Sequence, residues 1–212
     1  MIRIRLILLF IINVLPIISV ASDNLNSDYF SKLLGVELGK QNLNDVQKMY
    51  GDAKIEDMGD AATSRSSICY AFTQNNIDQI VIFSSNNELA GKPNYVVTQI
   101  EIQIKSNPTK NLKCNAKVKN NRIPPSLIGK SKSEFSDKLG FNLKDVTNNF
   151  NYSFCNKVSM KKDEPTYSYW KGRTECFNSE TTPYYDICTN IQAKFENSIL
   201  LKLVLNRSES VC

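Results

Sequence analysis

The sequence predicts an α+β protein made of two tandem units, in which short helices pack on an antiparallel sheet stapled by disulfides. Three observations lead to this prediction. A capped helical pattern that ends in glycine is followed by strand patterns twice along the chain. Six cysteines, an even number, lie beyond a segment typical of export. The hydrophobic content of 42% and the charged content of 22% are those of a globular protein.

The start of the chain has the layout of a secretory signal peptide. Two arginines precede an apolar run over 6–14, and the small residues 19–21 offer a cleavage point. The alternative is a retained membrane anchor, which Pro16 disfavours because it interrupts the span of about 20 residues that an anchor needs. Residues 1–21 are therefore predicted to be a signal peptide. Their removal takes away two arginines and no acidic residue, which lowers the formal charge from +5 to +3.

The first unit, 22–106, is predicted to begin with two short helices. Apolar residues at helical spacing predict the first helix over 28–34. The second is predicted over 42–50, where Asn42 can cap the start and Gly51 favours the end. Each helix would present an apolar stripe to a sheet.

Three strand patterns follow these helices in the first unit. Apolar residues alternate over 68–72, and the apolar run over 77–83 predicts a buried strand. Residues 96–105 show the clearest alternation, with three isoleucines on one face and glutamine or glutamate on the other. One face of the predicted sheet is therefore expected to contact solvent.

A linker and a second unit, 126–212, are predicted to follow. Residues 107–125 contain Asn-Pro, Asn-Asn and Pro-Pro pairs, which break regular structure and predict the linker. The second unit opens with Ser131 and Glu134 at capping-box spacing, and Gly140 ends the predicted helix. This return of the pattern indicates an internal duplication, and the alternative is a chance likeness between two helix caps.

The second unit is predicted to close with a hairpin. A short strand pattern at 167–170 is followed by an alternating strand over 187–195. The turn at 196–198 leads into a last strand. Four apolar residues of this last strand are predicted to share one face: Ile199, Leu201, Leu203 and Leu205.

The residues around the first predicted capped helix resemble a unit of known proteins. Residues 35–40 read GVELGK and precede a capped helix that ends in Tyr50 and Gly51. This arrangement resembles the helix-then-sheet unit of the SmpA/OmlA outer-membrane assembly proteins, and its tandem form is similar to the beta-lactamase inhibitor protein family. The resemblance implies an exported, non-enzymatic protein that binds other proteins through a sheet face and loops. It carries over no interface residue, and the chain lacks the cysteine at which the assembly proteins are lipidated.

The predicted duplication also ranks the cysteine pairings. Cys69 lies on an early strand of the first unit and Cys114 follows its last strand. The alternatives are free buried thiols or a zinc site, and the absence of both histidine and a CxxC pair disfavours zinc. The preferred set of disulfides is Cys69–Cys114, Cys155–Cys212 and Cys176–Cys188.

The composition excludes several kinds of catalysis. Without histidine the chain has no Ser-His-Asp or Cys-His nucleophile and no HExxH zinc site. The acidic pair Asp57 and Asp60 is interpreted as solvated surface, and no motif supports a Ser-Lys dyad. The basic residues form no concentrated patch, so nucleic acid is not an expected partner. The sequence therefore predicts no catalytic residue, metal or cofactor.

Aromatic residues around the predicted Cys176–Cys188 loop are the candidate partner-binding residues, because tyrosine and tryptophan dominate interface hot spots. They are Tyr167, Tyr169, Trp170, Tyr184 and Tyr185. The alternative is that some of them pack in the core, and the last two are expected in a loop beside Pro183.

The predicted function is that of a protein-binding module in the periplasm or outside the cell. It would act as an inhibitor or immunity-type protein on another exported protein, with no stable transmembrane segment after signal cleavage. The alternatives are a structural or assembly factor of the cell envelope and a histidine-free hydrolase.

Overall fold

A computed structural model describes residues 30, 32–59, 65–86, 95–105, 114, 116–118, 123–140, 142–143, 147–163 and 183–211. Within these residues the chain combines short helices with antiparallel strands, which confirms the predicted α+β class. The predicted signal peptide lies outside the described residues. In the described part of the chain, no helix combines the length and the apolar character that crossing a membrane requires.

The described chain contains ten strands and two helices of eight residues each. In chain order they are β1 (Lys32–Leu33), β2 (Val36–Glu37), α1 (Leu43–Tyr50), β3 (Glu56–Met58), β4 (Arg65–Gln74), β5 (Ile77–Asn86), β6 (Gln99–Ile104), β7 (Ala116–Lys117), α2 (Lys132–Leu139), β8 (Asn149–Ser159), β9 (Tyr184–Glu196) and β10 (Ile199–Val211). β1 and β2 pair with each other, and the other strands form one sheet in the order β3-β4-β5-β6-β10-β9-β8, with β7 parallel to β4. Because β6 and β10 are hydrogen-bonded neighbours, strands from both halves of the chain share this sheet.

Both predicted helix caps are confirmed. The Asn42 side chain accepts a hydrogen bond from the Asp45 backbone N–H, and Asp45 in turn accepts from the Asn42 N–H. Ser131 and Glu134 make the same reciprocal pair at the start of α2. Each box satisfies two backbone donors that a helix start leaves without a partner.

The cap of α2 is expected to weaken in acid. Hydrogen bonds from the Ser131 backbone, Lys130 and the Ser131 hydroxyl lower the pKa of Glu134 from 4.5 to about 2. The stability contributed by the ionised carboxylate is therefore present above pH 4.5 and is lost as the pH falls through about 2. Urea unfolding at pH 5 and pH 2 should show this loss in the wild type. Glu134→Gln, which can still cap but cannot titrate, should show a smaller loss, and equal losses would contradict this assignment.

Matching backbone hydrogen bonds join each helix start to a distant segment in the two halves of the chain: residues 95–97, just before β6, in the first half, and residues 198–200, at the start of β10, in the second. The Val97 N–H donates to the Gln41 carbonyl at 2.8 Å, and the Leu200 N–H donates to the Lys130 carbonyl at 2.9 Å. Gln41 and Lys130 each immediately precede the residue that caps a helix. The first N–H of each helix also donates a hydrogen bond: Leu43 to the Tyr95 carbonyl, and Lys132 to the Ser198 carbonyl. In both halves this carbonyl lies two residues before the donor named above.

Aromatic rings fill the core beneath α1. Tyr50 stacks on Phe83 and tilts against Tyr70, with 5.7 Å between ring centroids in both pairs. The hydroxyl of Tyr50 donates to the Leu34 carbonyl, and that of Tyr70 donates to the Gly51 carbonyl. Burial raises the pKa of Tyr50 to about 12, so this phenol is a neutral donor at physiological pH.

The predicted helix over 28–34 is wrong at residues 32–34, and residues 28, 29 and 31 lie outside the described residues. Phe30 is helical, but Lys32 and Leu33 form β1, which pairs with β2. The connecting residues, Leu34 and Gly35, have φ values of 54° and 77°. A two-residue hairpin turn requires such positive values, and the hairpin therefore overrides the helical spacing of the apolar residues.

The prediction of which side chains of the last strand share one face is wrong at the start of that strand. A register shift between Leu200 and Lys202 changes which side chains point to the core. Leu200 is consequently buried, while Ile199 is 36% exposed and Leu201 is half-buried. The prediction is confirmed for Leu203 and Leu205, which lie beyond the shift and are fully buried.

One predicted disulfide, Cys69–Cys114, is confirmed, with 5.1 Å between its Cα atoms. Ala116 and Lys117 follow as β7 and pair with β4. The predicted linker 107–125 is thus tied to the sheet by a covalent bond and by a short strand.

The other two predicted pairs are wrong. Cys155 on β8 is bonded to Cys188, which lies directly opposite on β9. This pairing excludes the predicted bonds to Cys212 and Cys176, which themselves lie outside the described residues. The predicted pairs are wrong because β8 was not predicted as a strand. Its pairing with β9 places Cys155 opposite Cys188.

Candidate functional site

The two faces of the sheet differ because successive strand residues point to opposite sides. One side packs against α1 and α2 and holds the main core, including Ile100, Leu203 and Ile191. The opposite side of β8, β9 and β10 is here named the open face. Its exposed side chains are polar except for the disulfide: Asn149, Asn151, Ser153, Cys155, Lys157, Ser159, Gln192, Lys194, Glu196, Ser208 and Ser210.

On β4 and β5 the same side of the sheet carries packed apolar side chains. The expectation that this side of the first unit contacts solvent is therefore wrong for these two strands. Cys69, Ile80 and Ile82 form a second apolar cluster and are all less than 10% exposed. Cys114, held by the disulfide, packs against this cluster. β4 and β5 are thus covered on both sides where this cluster lies, and the open face belongs to the second half of the chain.

The open face carries charges of both signs: Lys157, Lys194 and Lys202 on one side of the balance, and Asp186 and Glu196 on the other. Lys202 forms an ion pair with Glu101 across β10 and β6, with 2.7 Å between nitrogen and oxygen. Lys194 is exposed and has no ion-pair partner among the described residues. Lys157 is also exposed, opposite Asp186 on β9. Lys157 and Lys194 are therefore the exposed cations of the open face that could pair with carboxylates.

Lys157 is held in place by an aromatic ring on the neighbouring strand. Its Nζ atom donates to the Tyr184 hydroxyl at 2.9 Å and lies 4.2 Å from the ring centroid. This hydrogen bond raises the pKa of Lys157, with smaller effects from the charges of Tyr184 and Asp186. The lysine is therefore charged at physiological pH and sits over an aromatic face, an arrangement that favours both groups.

The predicted aromatic residues lie only partly within the described chain. Tyr184 and Tyr185 are the first two residues of β9, so the prediction that they lie in a loop is wrong. Adjacent strand residues point to opposite faces, which places Tyr184 on the open face and Tyr185 on the other side, opposite Val158. The remaining three, Tyr167, Tyr169 and Trp170, lie outside the described residues.

The strand that supplies much of the open face, β8, was missed by sequence reasoning. Its signal was present, because Phe150, Tyr152 and Phe154 alternate with polar residues. These three rings lie on the helix side, with centroids 6.3 Å and 6.5 Å apart along the strand. The polar residues between them form one edge of the open face.

Chemical groups for catalysis or metal binding are sparse in the described structure. Asp57, one of the paired acids considered above, accepts a hydrogen bond from the Ser66 hydroxyl at 2.6 Å, and Asp60 lies outside the described residues. No group of three or more cysteine, aspartate or glutamate residues in the described chain could hold a metal ion. Comparisons with protein-family models, curated proteins and solved structures find no match.

Proposed function

We propose that this chain is an exported, non-enzymatic protein-binding module of the inhibitor or immunity type, and that it binds another exported protein through the open face. The observation that carries the proposal is the exposure of polar side chains across three adjacent strands whose other side is packed core. The backbone of such a sheet is hydrogen-bonded before binding, so association costs little backbone entropy.

The two-unit organisation, with units 22–106 and 126–212, is part of this proposal. The matching hydrogen bonds between each helix start and a distant segment support it, because unrelated segments would have no reason to share them. The two capping boxes and the glycine after each helix support it further. Under this proposal the duplication built one long sheet by joining β6 to β10.

The partner's surface is proposed to be acidic and to contain groups that accept hydrogen bonds. Lys157 and Lys194 would pair with carboxylates, and asparagine and serine side chains would supply hydrogen bonds around them. Tyr184 would add aromatic contact area beside Lys157. Two disulfides and an excess of basic residues agree with a protein that meets acidic partners outside the cytosol.

Reversing the charge of the open face is expected to weaken capture of the partner. The Lys157→Glu and Lys194→Glu double variant should bind about tenfold more weakly at low salt, since each reversal replaces attraction by repulsion. Tagged wild-type and variant proteins would be used as baits in envelope extract, and the recovered proteins quantified by mass spectrometry.

The matched control is the double variant Lys54→Glu and Lys138→Glu. It changes the net charge equally, but both lysines are exposed away from the open face. The partner is then a protein lost with the first variant and retained with the control. Equal recovery with both variants would contradict the proposed surface. Recovery in the salt-washed outer-membrane fraction would instead support an envelope assembly role.

A further inference from the structure

β8 lies at one end of the sheet, and hydrogen bonds at both of its ends show which of its backbone groups point outward. The Phe195 N–H donates to the Asn148 carbonyl at 2.7 Å, and the Met160 N–H donates to the Pro183 carbonyl at 2.8 Å. Because positions that bond to the neighbouring strand alternate along an antiparallel pair, the even-numbered residues of β8 bond to β9. The odd-numbered residues turn their N–H and C=O groups away from β9: Asn149, Asn151, Ser153, Cys155, Lys157 and Ser159.

The outer edge of β8 offers these backbone groups to an added strand. The six odd-numbered residues are exposed, and their outward N–H and C=O groups have no hydrogen-bond partner among the described residues. The outer edge of β4 is instead covered, by β3 over residues 65–67 and by β7 over residues 70–71. β8 contains no proline and no register shift against β9, and Lys157 is its only charged residue. It therefore has few of the features by which proteins prevent an edge strand from pairing with another chain.

The residues of β8 are complementary to those of a second, antiparallel β8. Two copies related by a two-fold axis at Phe154 would pair along all eleven residues of the strand. Lys157 of each copy would then face Asn151 of the other, so that no like charges oppose each other. On the helix side, Val158 is 45% exposed, and it would face Phe150 of the other copy. This pairing therefore shields an exposed apolar side chain without opposing two charges.

We propose that β8 is the contact strand of a homodimer, in which two copies of this chain form one continuous sheet. The six outward-bonding residues of each copy would pair with those of the other and exchange about twelve backbone hydrogen bonds. The contact would be antiparallel, as is the pairing of β6 with β10 that joins the two halves of the chain. The strand edge, and not the open face, makes this contact, so the proposal is independent of the protein partner proposed for that face.

Sedimentation equilibrium of the oxidised protein tests the proposal with two variants of opposite charge. Asn151→Glu places a carboxylate opposite each Lys157 of the dimer and should lower the dimer dissociation constant about fivefold at low salt. Asn151→Lys places a second cation there and should raise this constant about fivefold. The matched controls are Ser208→Glu and Ser208→Lys, at an exposed position of the open face on β10, two strands away from β8. Both controls should leave the dissociation constant unchanged.

Amide hydrogen exchange of the wild-type protein provides a second measurement. The N–H groups of Asn151 and Ser153 point outward, so their exchange should slow as the protein concentration rises and the dimer forms. Those of Phe154 and Asn156 bond to β9 in monomer and dimer alike and should change little. A monomer at every concentration up to about 1 mM, equal dissociation constants for the two variants at position 151, or exchange at Asn151 that does not depend on concentration would each overturn the proposal.

Discussion

Replacing Phe135 by alanine is expected to lower the free energy of unfolding by about 3–5 kcal/mol. Phe135 is fully buried, and its ring lies 6.3 Å from Phe30, 6.2 Å from Phe150 and 5.5 Å from Phe195, all in edge-to-face geometry. The side chain thus joins α2 to β8, to β9 and to the segment before β1. Its removal deletes these contacts and leaves a cavity that a rigid sheet cannot close.

Urea titration followed by circular dichroism would measure this loss, with Phe154→Ala as the matched control. Phe154 is also aromatic and lies on β8, but it is half-exposed and tilts only against Tyr152 in the described structure. Its truncation should cost less than half as much, because less apolar area is returned to water. Similar losses for the two variants would show that Phe135 does not occupy the centre of the core.

Removing the disulfide between Cys69 and Cys114 is expected to cost about 4 kcal/mol from loop closure alone, given its sequence separation of 45 residues. The Cys69→Ala and Cys114→Ala variant also frees the segment that packs against Ile80 and Ile82. We therefore expect both a lower urea midpoint and increased binding of a hydrophobic dye, since this apolar cluster becomes accessible.

The second disulfide provides the comparison. Cys155 and Cys188 are 33 residues apart, so loop closure alone predicts a slightly smaller loss. Their strands remain paired along eleven positions after the bond is removed, and the bond lies on the exposed polar face. The Cys155→Ala and Cys188→Ala variant should therefore lose less stability and bind no additional dye. A larger loss of stability and more dye binding in this variant than in Cys69→Ala and Cys114→Ala would contradict the conclusion that the segment held by Cys114 covers the apolar cluster.

Local patterns predicted the elements that depend on near neighbours. The caps at Asn42 and Ser131 are confirmed because a capping box requires only residues three positions apart. β6 is confirmed because alternation sets which side chains are buried, and Ile100 and Ile102 are indeed inaccessible. The helix predicted over 28–34 is wrong because its spacing also suits the hairpin that replaces it.

The candidate binding surface depended on information that local patterns lack. Tyr184 was predicted as a contact residue, but its pairing with Lys157 follows from the register of β9 against β8. The same register places Cys155 opposite Cys188. Alternation within each strand sets which side chains face the core, but a shift of two residues would keep the faces and change every cross-strand partner. The partners therefore cannot be read from either strand alone.

The amino-acid sequence by itself determined two capped helices, five of the ten described strands and the disulfide that follows the first sheet segment. Tertiary structure alone decided that β6 lies beside β10 and that β8 forms an edge of the sheet. Caps and alternation arise from hydrogen bonds and side-chain directions within a few residues. Strand order arises from packing between residues far apart in the chain, where many local patterns are compatible with each arrangement.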